Sequence, residues 1–523
     1  MLRRLRAILP AGVAYLVAAP LAAQSTPRPP SDAAVRRAVA TITEAGMHRR
    51  IAALSDDSMR GRDTPSPELD QAAAYVAAEF RRLGLRPGGD HGSYIQRFRV
   101  RRAAFDSTSF VEARVRGVAR RWSLGRDVAY DDGALPQRPV TGPAVLLTGL
   151  PSDTVHPFGG VDVRGAVVVD AFTWDRLADD LTPMYAAVRR AQGAGAIGWI
   201  ALVSGVPASR MARWTSSNRH EHAGPVSVGP ESAFRIPIVV AGDTSATQLL
   251  RAAGENPAAI FAPGSRGVRP LRGVSMTIAL RRRVLAEFTA PNVIGILEGS
   301  DPRLHGEHVA ISAHTDHVGV GQPVMGDSIF NGADDNASGT ASAMALARAF
   351  ASLNPRPRRS MEFVVVSGEE KGLWGSTHYA SHPPVPLAQT VADLNMDMIS
   401  RNAPNSISVI GQEHSSLGET ARRGAGEHPE LNIRVASDMW PGERFFFQSD
   451  QINFARGGVP SIFFFAGPHP DYHRVTDTVD RADVGKAMRV TRLVFYVGLD
   501  VANAARRPQW NPESRRQIVE AGN

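Results

Sequence analysis

The chain has 523 residues, of which 43% are hydrophobic and 21% charged; this ordinary globular usage excludes a disordered or fibrous protein and predicts roughly three domains at about 150 residues each. The net charge of +8 comes almost wholly from arginine, with only two lysines among 59 basic residues, and the scatter of these arginines among acids predicts no nucleic-acid partner. The absence of cysteine excludes disulfides, thiolate metal sites and a cysteine nucleophile, so that any metal must be bound by histidines and carboxylates.

The N-terminal segment has the pattern of a secretory signal peptide. Three arginines within the first six residues precede an apolar run over 7–19, and two alanines follow at 22–23. An uncleaved membrane anchor is the alternative, but a run of about 13 residues is shorter than the roughly 20 that a bilayer requires. We expect residues 1–23 to be removed and the mature protein to be exported, to the periplasm or the medium, without stable membrane insertion.

Four further segments are distinguished by their hydrophobic periodicity. Residues 24–125 begin with two predicted amphipathic helices, and residues 126–268 change to short β-rich runs that read as an insert. Residues 269–505 alternate buried strands with helices, the pattern of a mostly parallel mixed sheet flanked by helices. Residues 506–523 are polar and are predicted to form a frayed tail.

Polar side chains follow the first predicted strand of this third region. His314 and Asp316 come after the strand at 308–312, and Asp334 and Asp335 stand together just before a predicted helix. Helix capping explains one of the two adjacent acids but not both. Because binding groups in open parallel sheets collect at the carboxyl ends of the strands, we expect these residues to face a common site.

Further acids and a histidine occupy equivalent places along the chain: Glu369 and Glu370 after the strand at 361–367, Asp397 within the apolar run 394–399, and Tyr472 and His473 after the strand at 461–465. A carboxylate within an apolar run is costly without a partner, so Asp397 requires a cation. Histidines and acids from separate loops indicate a two-metal hydrolytic site. Such a site needs one more carboxylate to accept a proton from water, and Glu369 beside Glu370 suits that role.

The order H-x-D, G-A-D-D-N-A-S-G, G-E-E, N-M-D-M and Y-H resembles peptidase family M28, which comprises zinc aminopeptidases and related carboxypeptidases. The resemblance covers about residues 31–125 and 269–505 and implies a three-layer α/β sandwich, the zinc exopeptidase fold, with two zinc ions per chain. The implied metal ligands are Asp334 as the bridge, His314 and Asp397 on one ion, and Glu370 and His473 on the other. A cis peptide bond between Asp334 and Asp335 is also implied.

The same resemblance implies roles for three residues that bind no metal. Glu369 would be the general base, and Asp316 would accept the second ring N–H of His314. Tyr472 would support the tetrahedral intermediate.

The insert resembles a protease-associated domain in the segments 162–168 and 191–196. Domains of this kind are lids that shape substrate access and perform no chemistry. The alternative is any small β-rich insert with a helix that ends at glycine.

Together these features predict an exported dizinc exopeptidase that hydrolyses N-terminal peptide bonds with metal-activated water and Glu369 as base. A carboxypeptidase or dipeptidase of the same family is the second possibility, and it would need an arginine to bind the substrate carboxylate. The third is a receptor-like binding module that has lost its activity. The sequence predicts no particular oligomeric state.

Overall fold

The computed structural model of the protein describes residues 29–149, 158–176, 181–217, 226–228 and 234–520. The predicted signal peptide, residues 1–23, lies outside the described residues. Within these ranges, none of the helices combines the length and the apolar character that crossing a membrane requires.

Twenty strands run along the described chain: β1 Arg86–Pro87, β2 Ile95–Phe105, β3 Phe110–Val115, β4 Val118–Ser123, β5 Ala129–Asp132, β6 Val140–Thr148, β7 Val167–Thr173, β8 Gly198–Ser204, β9 Val226–Val228, β10 Ile238–Ala241, β11 Gly267–Ala279, β12 Arg282–Leu297, β13 His308–His314, β14 Gly319–Val324, β15 Asp327–Phe330, β16 Ser360–Val366, β17 Thr390–Met396, β18 Ser406–Ile410, β19 Arg434–Ala436 and β20 Ser461–Phe465.

Thirteen α-helices of the described chain connect or cover these strands: α1 Asp32–Val39, α2 Glu44–Leu54, α3 Pro67–Arg82, α4 Thr182–Gly193, α5 Ala208–Ser217, α6 Asp243–Ala252, α7 Pro257–Ile260, α8 Gly339–Ala351, α9 Trp374–Ser381, α10 Leu417–Glu427, α11 Gln451–Arg456, α12 Val484–Asn503 and α13 Pro512–Arg515. A 3-10 segment lies at Asp57–Arg62, and π-helical turns lie at Ala333–Ser338 and Arg516–Glu520.

The larger sheet has ten strands in the order β19-β18-β20-β17-β13-β16-β12-β2-β9, with β1 beside β12. Its four central strands, β20, β17, β13 and β16, are parallel, as the sequence predicts. On either side the pairing turns antiparallel, at β18 against β20 and at β12 against β16. The carboxyl ends of the central strands therefore meet at one edge.

Helices cover both faces of this sheet because side chains along the buried strands alternate between two cores. Ile311 and Phe363 pack on one side with Phe350 of α8. Ala310 and Val364 pack on the other, against α9 and α11. The result is the predicted three-layer α/β arrangement, with a strand period of two deciding which core each residue joins.

The smaller sheet has eight strands in the order β4-β3-β11-β6-β7-β8-β10-β5. Most strands of the predicted insert, 126–268, belong to this sheet, whereas β9 pairs with β2 in the larger sheet. The sheet itself also takes in β3 and β4, before the predicted start, and β11 to Ala279, beyond the predicted end. Strand β4 is mostly exposed, so its sequence lacks the apolar residues that would predict a buried strand.

The two ends of the chain differ from expectation. Residues 32–82 form three α-helices rather than two. Of the predicted frayed tail, the described residues 506–520 are instead folded: Ile518 is 4% exposed and packs in a cluster with Phe446 and Phe463. Val519 is also buried and Trp510 packs against the same cluster, so a few apolar side chains within a mostly polar stretch dock the segment.

Candidate metal centre

Four loops at the carboxyl edge of the central strands carry the candidate residues. They follow β13 at His314, β16 before Glu369 and Glu370, β17 before Asp397, and β20 before His473. At the end of β16, Gly368 adopts φ +73°, and an added Cβ would lie 2.9 Å from Cβ of Trp374. Only glycine meets both conditions without strain, and the turn places the two glutamates at the edge of the site.

A first group of donors consists of His314, Asp335 and Asp397. The Nε2 atom of His314 lies 3.2 Å from Oδ1 of Asp397 and 3.5 Å from Oδ1 of Asp335. The other carboxylate oxygen of Asp397 accepts a hydrogen bond of 3.0 Å from Oγ of Ser449, which leaves Oδ1 facing the histidine.

A second group consists of His317, Asp335, Glu370 and His473. The Nε2 atom of His473 lies 3.1 Å from Oδ2 of Asp335 and 3.0 Å from Oε2 of Glu370. On the other side of the group, Nδ1 of His317 is 2.7 Å from Oε1 of Glu370. The two oxygens of Asp335 thus face different groups, and this carboxylate is common to both.

Asp334, the bridging residue implied by the sequence, has a different place. Its Oδ1 accepts hydrogen bonds of 2.7 Å from both the backbone N–H and the Oγ–H of Ser400, and its Oδ2 lies 3.3 Å from Nε2 of His469. Asp477 accepts hydrogen bonds from the backbone N–H groups of Asp334 and Asp335, which fixes the turn. Within this turn it is the carboxylate of Asp335 that joins the donor groups.

The predicted cis peptide bond between Asp334 and Asp335 is also wrong by one position, since the non-proline cis bond joins Asp335 to Asn336. Both errors have one cause. Two adjacent acids offer the same chemistry, and only the backbone path decides which of them points inward.

Asp316 lies behind His314. The Nδ1 atom of His314 is 3.6 Å from the carboxylate of Asp316 and 3.2 Å from its backbone carbonyl oxygen, so the carbonyl is the nearer partner. The carboxylate of Asp316 accepts hydrogen bonds from Thr64 and from the backbone N–H of Glu369. It therefore links the loop after β13 to the loop after β16.

Glu369 faces the first donor group. Burial raises the pKa of its carboxyl well above the ordinary value, and the charge of His314 counters part of that shift. Beyond it, Tyr472 is 41% exposed and stacks on the ring of His473, with centroids 3.9 Å apart. Glu369 is thus an inner carboxyl of the site, whereas Tyr472 is at its open side.

A buried arginine supports the loops of the site from below. Arg62 is fully buried, and its guanidinium donates to the carbonyl oxygens of Thr315 at 2.7 Å, Asn331 at 2.8 Å, Gly332 at 3.0 Å and Leu54. Burial lowers the pKa of Arg62 to about 10, although nearby carboxylates counter the shift. It therefore stays cationic at neutral pH and ties the loop after β13 to the loop before Asp335.

The pKa values in the two groups are shifted by burial and by the close approach of their charges. Burial raises the pKa of Asp335 to about 6, and the charge of Glu370 adds to the shift. For His473, burial lowers the pKa, but hydrogen bonds with Asp335 and Glu370 outweigh it and raise the pKa to about 10. At these distances an imidazolium and the carboxylates stabilise each other's charge, whereas a bound metal ion requires neutral imidazoles and ionised acids.

The arrangement of the donor atoms fits a metal. Nε2 of His314 and Oδ1 of Asp397 are buried without a hydrogen-bond partner in the described structure, although they lie 3.2 Å apart. Two ligands of a tetrahedral zinc ion with bonds of about 2.0–2.1 Å lie about 3.3 Å from each other. The residues present therefore suit zinc, which accepts imidazole and carboxylate donors.

His317 joins the second donor group without having been predicted from the sequence. It directly follows His314-Thr315-Asp316 in the chain. A second histidine this close to His314 is the sequence feature that could have predicted another metal ligand. Arg62 carried no local signal, since its partners at Thr315 and Asn331 are more than 250 positions away in the chain.

Comparisons with known proteins agree with the motifs. The sequence profile of Peptidase family M28 matches residues 292–498. The aminopeptidase YwaD of Bacillus subtilis is 22% identical over 258 residues, which cover 46% of this chain and 52% of YwaD. A "Probable zinc metalloprotease" of Pyricularia oryzae is 28% identical over 186 residues, covering 30% of this chain and 37% of the relative. The chain thus matches about half or less of the length of these relatives.

Among solved structures, an aminopeptidase from Aneurinibacillus sp. strain AM-1 aligns with 90% of this chain and 96% of its own, at 19% identity and a TM-score of 0.47. The profile match spans the loops that carry both donor groups, from the strand β12 to the helix α12. Residues 292–498 therefore match peptidase family M28.

Proposed function

We propose that the protein is a zinc-dependent aminopeptidase that binds two zinc ions and removes residues from the free N-termini of peptides. The observation that carries the proposal is the position of Asp335, whose two carboxylate oxygens face two separate donor groups. Two-metal hydrolases share a carboxylate between neighbouring ions in this way. The curated relatives named as aminopeptidase and zinc metalloprotease support the choice of metal and reaction.

In this proposal His314, Asp335 and Asp397 hold one ion, and Asp335, Glu370 and His473 hold the other. Bound zinc would supply a Lewis acid, which lowers the pKa of a water molecule and polarises the scissile carbonyl. The protein's own residues orient these donors: Ser449 fixes Asp397, and Asp477 fixes the turn that presents Asp335.

Glu369 is the proposed proton carrier. It accepts a proton from the attacking water and passes that proton to the nitrogen of the leaving amine. Its backbone N–H donates to Asp316, which holds the residue beside the first donor group. A carboxyl whose pKa burial raises is a stronger proton acceptor than an exposed glutamate, and this favours the first transfer.

Tyr472 is proposed to contact the substrate. Its ring lies on His473 and is partly open to solvent, so a peptide that enters the site would meet it. A phenol O–H at this position would donate a hydrogen bond to the oxygen that becomes negatively charged as the carbonyl is attacked.

The smaller sheet and its helices are proposed to act as a lid of the protease-associated type. In support, Arg189 on α4 of this unit is close enough to Arg456, at the end of α11, for its charge to add to the lowering of the Arg456 pKa by burial. Helix α11 begins directly after Asp450, a buried neighbour of the site. Removal of residues 1–23 and export are proposed from the sequence pattern alone, and N-terminal sequencing of protein recovered outside the cytoplasm tests them.

Activity is tested with a mixture of peptides whose N-termini are either free or acetylated, analysed by mass spectrometry before chelation, after chelation and after zinc is restored. We expect zinc-dependent removal of residues from free N-termini, with acetylated peptides unchanged. Removal from C-termini would instead indicate a carboxypeptidase, and intact peptides in the presence of bound zinc would indicate a binding module.

The role of Glu369 is tested separately with Glu369→Gln. This variant should lose turnover by about 10²–10⁴-fold, the usual contribution of a general base, and should keep its bound zinc. The exposed glutamate Glu298 provides a matched control, since Glu298→Gln should keep normal turnover. A Glu369→Gln enzyme that binds zinc and retains the wild-type rate would contradict the assignment.

A further inference from the structure

We infer that His317 is a metal ligand, and that the two metal positions are therefore unequal, one enclosed by four protein side chains and the other by three. This inference rests on the dizinc site proposed above and adds a residue that lies outside the motifs of the family resemblance.

The position of the His317 ring is the first argument. Its Nδ1 atom lies 2.7 Å from Oε1 of Glu370 and 3.5 Å from Oδ2 of Asp335. His473 approaches the same two carboxylates from the other side, at 3.0 and 3.1 Å. Separations near 3.3 Å are those of ligands around one tetrahedral ion. The shorter contact to Glu370 has the length of a hydrogen bond.

The surroundings of the ring are the second argument. His317 is fully buried, and its Nε2 atom has no hydrogen-bond partner among the described residues. The backbone of Gly332 closes the space behind the ring, since a Cβ added there would lie 2.5 Å from Cγ of His317. The ring of His473 packs edge-on against it, with centroids 5.4 Å apart. The ring is therefore confined with Nδ1 aimed at the two carboxylates.

The argument for ligation therefore lies in Nδ1, which faces Glu370 and Asp335 and adds a fourth donor atom to the group that also contains His473. The rival interpretation is that Nδ1 donates a proton to Glu370 and never touches a metal.

A consequence follows for the use of the two positions. Zinc sites with four protein ligands are closed and structural, whereas sites with three keep a position free for water and substrate. The three-donor group of His314, Asp335 and Asp397 is also the one beside Glu369, whose pKa responds to the charges of His314 and Asp397. In the inferred arrangement, the three-donor position keeps a coordination site for water or substrate next to Glu369. The ion in the four-donor position has a structural role.

The decisive experiment is zinc X-ray absorption on the full protein loaded with two equivalents of zinc, which counts imidazole ligands. Three histidines over two ions give about 1.5 imidazoles per zinc, and His317→Asn should reduce the count to about 1.0. A competing chelator should remove one zinc ion from the variant at a concentration more than about 100-fold lower than from the wild type. Loss of a residue that only orients a ligand lowers metal affinity by less, about 10–100-fold.

His308 offers a matched control, because it is also buried beside a carboxylate, 3.7 Å from Glu362, but at the opposite end of β13. His308→Asn should leave the imidazole count unchanged. If the wild type binds two zinc ions with a mean of one imidazole each, His317 only positions Glu370 and the inference is overturned while the dizinc proposal stands. This count needs no variant, so it decides the question even if His317→Asn fails to fold. Fewer than two bound zinc ions in the wild type would contradict the proposed function and, with it, the inference.

Discussion

Replacement of Arg62 by methionine tests whether a buried cation holds the metal-binding loops together. Methionine keeps an unbranched apolar stem but donates no hydrogen bonds, so four backbone carbonyl oxygens lose their partner. At about 1.5–3 kcal/mol for each hydrogen bond to a charged group, the gross loss is about 6–12 kcal/mol. Removal of the guanidinium also ends its desolvation penalty of several kcal/mol, so we expect a net destabilisation of about 3–5 kcal/mol.

Urea unfolding of the metal-free protein measures this loss, and hydrogen exchange locates it. Exchange should become faster in the loops after His314 and before Asp335, because Arg62 joins the carbonyls of Thr315 and Asn331. Arg62→Lys, which keeps the charge but cannot reach all four carbonyls, should fall between the wild type and methionine.

Arg359 supplies the control. It is equally buried and donates to the carbonyls of Val501 and Ala504 as well as to Glu307, on another part of the fold. Arg359→Met should destabilise the protein by a similar amount without faster exchange in the metal-binding loops. An Arg62→Met variant within about 1 kcal/mol of the wild type, or one whose exchange pattern equals that of Arg359→Met, would refute the reasoning.

Three further predictions follow from the same structure. Asp335→Asn should lose at least one of two zinc ions, because both donor groups use this carboxylate, whereas Asp334→Asn should keep both. Metal analysis that finds equal zinc contents in the two variants would contradict Asp335 as the shared ligand. Burial raises the pKa of Glu362 to about 7, so between pH 4.5 and 7 the folded protein retains a proton that the unfolded chain releases, and stability falls as pH rises. Glu362→Gln should therefore stabilise the protein by roughly 3 kcal/mol at pH 8 and by less than about 1 kcal/mol at pH 5 in urea unfolding, and a gain independent of pH would count against this cause. Ile518→Ala should cost about 2–4 kcal/mol through the cavity it leaves in the cluster with Phe446, whereas a loss under about 0.5 kcal/mol would show that the tail adds no stability.

Apolar runs and the turn residues that flank them predict the central strands of the larger sheet. The strand Ser461–Phe465 was expected with the bounds that the structure shows, because five consecutive apolar or small residues between turn signals fit a strand buried on both faces. His314, Glu370 and His473 are expected after strands and Asp397 within an apolar run, and the structure brings these residues together around Asp335. Their roles as zinc ligands remain a proposal.

Features that depend on the path of the backbone or on distant partners were beyond sequence reasoning. The choice between Asp334 and Asp335 depends on a turn whose backbone N–H groups donate hydrogen bonds to Asp477, which lies more than 140 positions later. The edge strand β4, mostly exposed along Val118–Ser123, lacks the alternation of a half-buried strand. Docking of Ile518 depends on a hydrophobic surface that exists only after the sheet has folded.

The two connections between the sheets give the chain a further property. Strand β2 leaves the larger sheet at Phe105, and β12 re-enters it at Arg282, directly opposite in the antiparallel register. The segment 106–281 therefore begins and ends at neighbouring points. A two-residue turn in its place would join β2 to β12 as a hairpin and keep their pairing. The smaller sheet is thus an insertion between two paired positions of the larger sheet. Replacing residues 106–281 by such a turn would remove the short edge strand β9 from the larger sheet, but the four central strands that lead to the donor residues pair with one another and not with the replaced segment.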